Sequence, residues 1–136
     1  MSDIIFRLIK DSKVVGYEWH LKQIGSLISI IHCDEYYEDN PSIFNNDEYP
    51  IPHDRKDRWT GAGLKNGTKI FENDIVAYCI NGEREIIGVI IFNDYKYEVK
   101  YNYKYEEQER ITYDPLDFVL TWCDVHGIIG IEGVTK

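Results

Sequence analysis

"YKYEVKYNYKYE", residues 95–106, alternates without a break: Tyr95, Tyr97, Val99, Tyr101, Tyr103 and Tyr105 hold the odd positions, and Lys96, Glu98, Lys100, Asn102, Lys104 and Glu106 the even ones. Successive side chains of a β-strand point to opposite faces, so this period of two predicts a strand with one aromatic and one charged face. Upstream, Asn93-Asp94 predicts a turn, and Ile86, Ile87, Val89, Ile90 and Ile91 predict a strand from about Arg84 to Phe92, buried on both faces or nearly so. Asn81-Gly82 is a hairpin signal joining it to a strand over 74–80, and Asn66-Gly67 allows positive φ at both central positions of a tight reversal in "LKNGTKIF". Downstream, "EEQER" at 106–110 reads as a polar connection to Ile111-Thr112-Tyr113. Asp114-Pro115 then breaks the chain before Phe118-Val119-Leu120-Thr121-Trp122. Strands joined by short turns make an antiparallel meander, and a twisted meander of this length is expected to curl into a small barrel-like core that reduces its open edges.

Nearer the start, Ile4–Ile9, the turn "KDSK" at 10–13 and Val14–Trp19 predict an N-terminal hairpin. In Ile24–Ile31 the apolar positions Ile24, Leu27, Ile28 and Ile31 fit helical spacing while the β-branched content fits a strand, and both readings stand. Acidic, Asn and Pro residues dominate 34–42 and 45–54, which predicts a long surface loop. The expected fold is mainly β with at most one short helix. It forms a single domain over 1–136: a β-rich segment 1–33, an acidic loop 34–57, a meander core 58–126 and a tail 127–136.

A chain of 136 residues that is 43% hydrophobic is long and apolar enough to bury a core of its own. Its net charge of −9 gives a field that repels phosphate backbones and anionic membranes, so direct nucleic-acid binding is disfavoured. Cys33, Cys79 and Cys123 are too few for a disulfide framework, and no apolar run reaches the length of a membrane helix. Those features predict a soluble protein of a reducing cytoplasm.

The stretch Trp59-Thr60-Gly61, then Leu64-Lys65-Asn66-Gly67-Thr68-Lys69-Ile70-Phe71-Glu72-Asn73-Asp74-Ile75-Val76, followed by Gly88-Val89-Ile90-Ile91-Phe92, resembles the signature of the YopX family of phage and prophage proteins. Ile5-Phe6-Arg7 and "DSKVV" are similar to that family's opening strand and turn. The chain departs from the pattern at Gly61-Ala62-Gly63, at Asn73, where a glycine is common, and in its last residues, "VHGIIGIEGVTK". The resemblance implies a β-rich, oligomer-prone protein of a mobile element in a bacterial host cell, and it brings no catalytic residues with it. Read from the residues, Trp59, Gly61, Gly67, Glu72 and Asp74 belong to a fold signature, with glycines setting turns and acidic residues entering a strand.

Chemistry-bearing constellations are sparse. Zinc wants closely spaced soft ligands, whereas His32-Cys33 on a strand would face opposite ways and "CDVH" at 123–126 is half a pattern. "GAGLKNG" lacks the continuation of a phosphate loop. The sequence therefore predicts no catalytic, cofactor or metal site and no enzyme. The tyrosine stripe resembles base-stacking surfaces, but its lysines lie across the pleat, so it reads as core or interface, with Tyr97, Tyr101 and Tyr103 as the candidate interface. The function expected first is a self-associating, homo-oligomeric β-module that also binds a host or phage protein. The alternative is an acidic DNA mimic that occupies a host nucleic-acid-handling protein through Asp34, Glu35, Glu38, Asp39, Asp47 and Glu48.

Overall fold

A computed structural model describes residues 4–22, 28–33, 50–82 and 84–135. The described chain is mainly β, with ten strands and one helix. It divides into two compact units, 1–61 with 133–136, and 62–132. The division falls inside the signature stretch.

In the first unit, β1 (Ile4–Lys10) and β2 (Lys13–Lys22) form the expected antiparallel hairpin. Asp11 and Ser12 both take left-handed φ between them, at 51° and 62°. That is the backbone twist a two-residue hairpin turn needs. β3 (Ile28–Cys33) pairs with β2, which settles 28–33 as strand; 23–27 lie outside the described residues. Of the predicted acidic loop, 34–49 lie outside the described residues too, and 55–57 are already strand, because β4 runs Arg55–Gly63 and pairs with β1. The last two residues of β4 and the strand next to it, β5 (Lys69–Phe71), belong to the 62–132 unit; the strand order is β3-β2-β1-β4-β5.

The second unit is built on β6 (Asp74–Cys79), β7 (Glu85–Asn93), β8 (Lys96–Tyr105), β9 (Gln108–Pro115) and β10 (Asp124–Ile131), in the order β10-β6-β7-β8-β9. Neither sheet closes on itself, so the expected barrel-like closure is not formed by either. The second sheet instead covers one face with α1 (Leu116–Trp122), which buries Leu116 and Val119 against Val76, Tyr78, Ile90, Val99 and Tyr101. The expected fold allowed at most one short helix, and among the described residues α1 is the helix formed. Pro115 occupies its N-cap position at φ −57°, and the i, i+3 pair Leu116/Val119 supplies an apolar edge. The "tail" also differs from expectation, since 127–131 belong to β10 and pair with β6.

Several turns sit one residue from where the sequence put them. Asp94 and Tyr95 form the β7–β8 turn, with φ of 53° and 64°, so Tyr95 leaves the stripe and lies exposed. Glu106 and Glu107 make a two-residue turn, and the rest of "EEQER" is already β9. At Asn66-Gly67 only Gly67 is left-handed, at φ 94°. Gly67 N–H donates to Leu64 O and Leu64 N–H to Thr68 O, a three-residue loop ending in a glycine bulge. β7 is not buried on both faces: it alternates, with Gly88 and Ile90 inward and Ile87 outward. Among the described residues no helix is long and apolar enough to cross a membrane.

Candidate functional site

Two faces of the second sheet hold the groups with a reason to meet a partner. Tyr78 pairs directly with Ile86 across β6–β7, Lys100 with Tyr113 and Tyr101 with Thr112 across β8–β9, which fixes what shares a face. The inner face carries Tyr78, Ile86, Gly88, Ile90, Tyr97, Val99, Tyr101 and Tyr103. The outer face carries Ile87, Val89 and Ile91 from β7, the lysine row of β8, and Ile111 and Tyr113 from β9.

On the inner face the tyrosine stripe changes character along its length. Tyr97 is half-buried and packs against the core, Tyr101 is buried in it, and Tyr103 emerges to the surface. Tyr78 and Tyr101 meet edge to face with ring centroids 6.3 Å apart, and the Tyr78 hydroxyl donates to Asp114 Oδ2 at 2.9 Å. Burial, and after it the bond to Asp114, pushes the Tyr78 phenol well above its ordinary range. Burial and then the charge of Asp114 push Tyr101 up to about 12. Both phenols therefore stay protonated and act as donors.

Where the stripe emerges, Tyr101, Tyr103, Gln108, Arg110 and Thr112 line an open cavity of about 610 Å³. Arg110 pairs directly opposite Tyr103. From β7's side, the Arg84 guanidinium lies 4.6 Å from the Tyr103 ring centroid, and its Nη2 donates to Lys104 O at 3.0 Å. The lysines do point away from the tyrosines, as the alternation requires. The cations that share the tyrosine face are arginines, delivered by the neighbouring strands.

On the outer face, Ile87, Ile111 and Tyr113 are 54%, 57% and 44% exposed. The Lys100–Asn102–Lys104 row of β8 runs between Ile87 on β7 and the pair Ile111 and Tyr113 on β9, so this face presents exposed apolar side chains on both sides of a polar strip.

Gly61 takes φ 87° and Gly67 φ 94°. Asn73 takes φ 68°, which explains why asparagine serves where the resembling pattern carries glycine. Buried Asp74 accepts the Phe71 N–H at 2.7 Å, and half-buried Glu72 sits in the turn that this bond closes. Trp59 is a half-buried residue of β4.

The sequence reading missed a polar cluster in the first unit. Buried Glu18 accepts from His32 Nε2 at 2.8 Å on Oε1, and from His20 Nε2 at 2.7 Å and Lys56 Nζ at 3.0 Å on Oε2. Burial opposes ionisation of Glu18, but the bonds from His20, His32 and Lys56 outweigh it and hold the carboxyl down at about 2. Ile51 N–H donates to His32 Nδ1 at 2.8 Å, so the His32 proton sits on Nε2, facing Glu18. In the same unit Arg7 and Arg55 both bond the buried carboxylate of Asp57, Arg7 Nη2 at 3.0 Å and Arg55 Nε at 2.9 Å. The available signal was Arg7 alone in "IIFRLI", a charge in an apolar strand that needs a buried partner.

Cys33, Cys79 and Cys123 are free thiols, and burial followed by Asp114 raises the Cys123 thiol, the opposite of activation. His126 pairs with Glu85. Among the described residues no group of three or more His, Cys, Asp or Glu is placed to hold a metal ion. The six residues of the acidic cluster lie outside the described residues. No protein-family model, no curated protein and no solved structure matches the chain.

Proposed function

We propose that the protein is a non-enzymatic association module of a phage or prophage, working in the cytoplasm of a bacterial host and joining copies of itself through the outer face of β7, β8 and β9. The observation that carries this reading is the exposure of Ile87 on β7 and of Ile111 and Tyr113 on β9, three large apolar side chains that flank the polar row of β8 on the solvent side of one sheet. Half-buried Val89 and Ile91 follow Ile87 along β7 on the same face. A two-fold interface must be complementary to itself, and this face carries both signs of charge: Lys104 lies directly opposite Glu109. The resemblance to the YopX family, with its oligomer-prone members, supports the same reading. Host or phage proteins are further candidate partners of the module.

Sedimentation velocity over a wide concentration range tests it. The wild-type chain is expected to sediment as a dimer or larger species, and Ile87→Lys as a folded monomer. A wild-type chain that stays monomeric at the highest attainable concentration overturns the proposal.

A further inference from the structure

The cavity where the tyrosine stripe emerges has a chemistry that self-association through the opposite face does not use. It lies in a chain of net charge −9, yet a guanidinium lines it and a second one stacks on its aromatic wall. Arg110 stands opposite Tyr103, and among the described residues it has no carboxylate partner. Arg84 is differently employed: its bond to Lys104 O holds it against Tyr103 and fixes that ring. Gln108 and Thr112 add an amide and a hydroxyl, groups that both donate and accept. A volume of about 610 Å³ is far larger than a lone inorganic anion fills and falls in the range of small-molecule sites.

We infer that this cavity binds a nucleotide, with the base laid against the Tyr103 ring and the phosphate held by Arg110. A tyrosine ring stacks any base, a guanidinium meets phosphate oxygens two at a time, and the amide of Gln108 is suited to the polar edge of the base. An apolar ligand would leave Arg110 unanswered, and a bare anion would leave the aromatic wall unused. The summed negative charge of the chain selects against a long polyanion, so the occupant is a free nucleotide and not a segment of a strand.

Titration of the isotope-labelled full chain, followed by NMR, decides the matter with four probes: adenosine monophosphate, thymidine monophosphate, inorganic phosphate and a short single-stranded oligonucleotide. Expected are saturable shifts at Tyr103, Gln108, Arg110 and Thr112 with a mononucleotide, and affinity at least about tenfold weaker for phosphate alone. Arg110→Gln and Tyr103→Leu are each expected to weaken the mononucleotide by about tenfold or more. Ile87→Lys, on the opposite face, leaves it unchanged. An oligonucleotide that binds more tightly than its mononucleotide overturns the assignment to free nucleotide and gives the site to single strands. Absence of shifts, equal binding of phosphate alone, or indifference to both cavity substitutions in spectra that show a folded chain overturns the site altogether.

Discussion

Beside Ile5, Leu8 and Trp19, the first unit buries Arg7, Glu18, His32 and Asp57; the second surrounds Tyr78 with Ile70, Val76, Ile90, Val99, Leu116 and Val119. Charge makes up more of the first interior, while the second buries Asp74 and Glu98 but surrounds Tyr78 with volumes that must fit. A carboxylate bonded by three donors is stable in only one protonation state, whereas a packed aliphatic cluster is indifferent to pH and intolerant of an added methyl group. The two units should therefore fail under different insults. Amide hydrogen exchange, which reads β1–β2 separately from β6–β8, can tell them apart.

The largest effect is expected from Asp57→Ala, which removes the buried carboxylate that Arg7 and Arg55 both bond and should cost about 3 to 5 kcal/mol, the range for breaking a buried ion pair by deleting one partner. Protection should collapse in β1 and β2 while β6–β8 keep theirs; uniform loss across both sheets would break the comparison.

Acid comes next. Glu18 has its carboxyl depressed from 4.5 to about 2 in the folded chain, so its contribution is fully present above about pH 4.5 and disappears as pH falls toward 2. A shift of that size corresponds to roughly 3 kcal/mol. Exchange in β2 and β3 should accelerate over that window, and Glu18→Gln should flatten the profile. An unchanged profile in that variant would assign the acid response to other carboxylates.

In the second unit the sensitive point is Gly88. A Cβ built there lies 2.5 Å from Val99 Cγ1 and 2.9 Å from Lys100 O, a backbone atom that cannot swing aside. Gly88→Ala should cost about 1 to 3 kcal/mol, read as faster exchange in β7 and β8 at every pH. The smallest effect has the opposite sign. Glu106 and Glu107 hold φ of 48° and 69° in a turn where asparagine and glycine sit without strain. The double change Glu106→Asn with Glu107→Gly should stabilise the β8–β9 hairpin by about 1 kcal/mol in denaturant unfolding.

The elements that were legible in the sequence are those whose cause is local. The alternation of 96–105 writes a strand directly, and Asn81-Gly82 forms the left-handed turn its residues permit, at φ of 52° and 74°. The missed features depend on pairing. Tyr95 and Glu107 adopt backbone angles their types disfavour because the flanking strands impose the turn, and α1 forms over residues to which the sequence reading assigned no element. The site was half legible for the same reason. Tyr103 is visible in one strand's period, but Arg84 and Arg110 join it only through the registers of β7 and β9. Likewise, Glu18 and His32 meet because β2 pairs with β3 in a register that "HC" alone does not announce.

Residues 133–136 rejoin the first unit after the whole of the second has been traversed, and Thr135 N–H closes on Ser12 O at 2.9 Å. On the ribosome that order has a temporal meaning. The 62–132 unit has all of its sequence before residues 133–135 reach the unit that began first, so a nascent chain has made the intervening piece before that contact can form. A polymerising ribosome thus sets a sequence of events that refolding of the released chain need not follow.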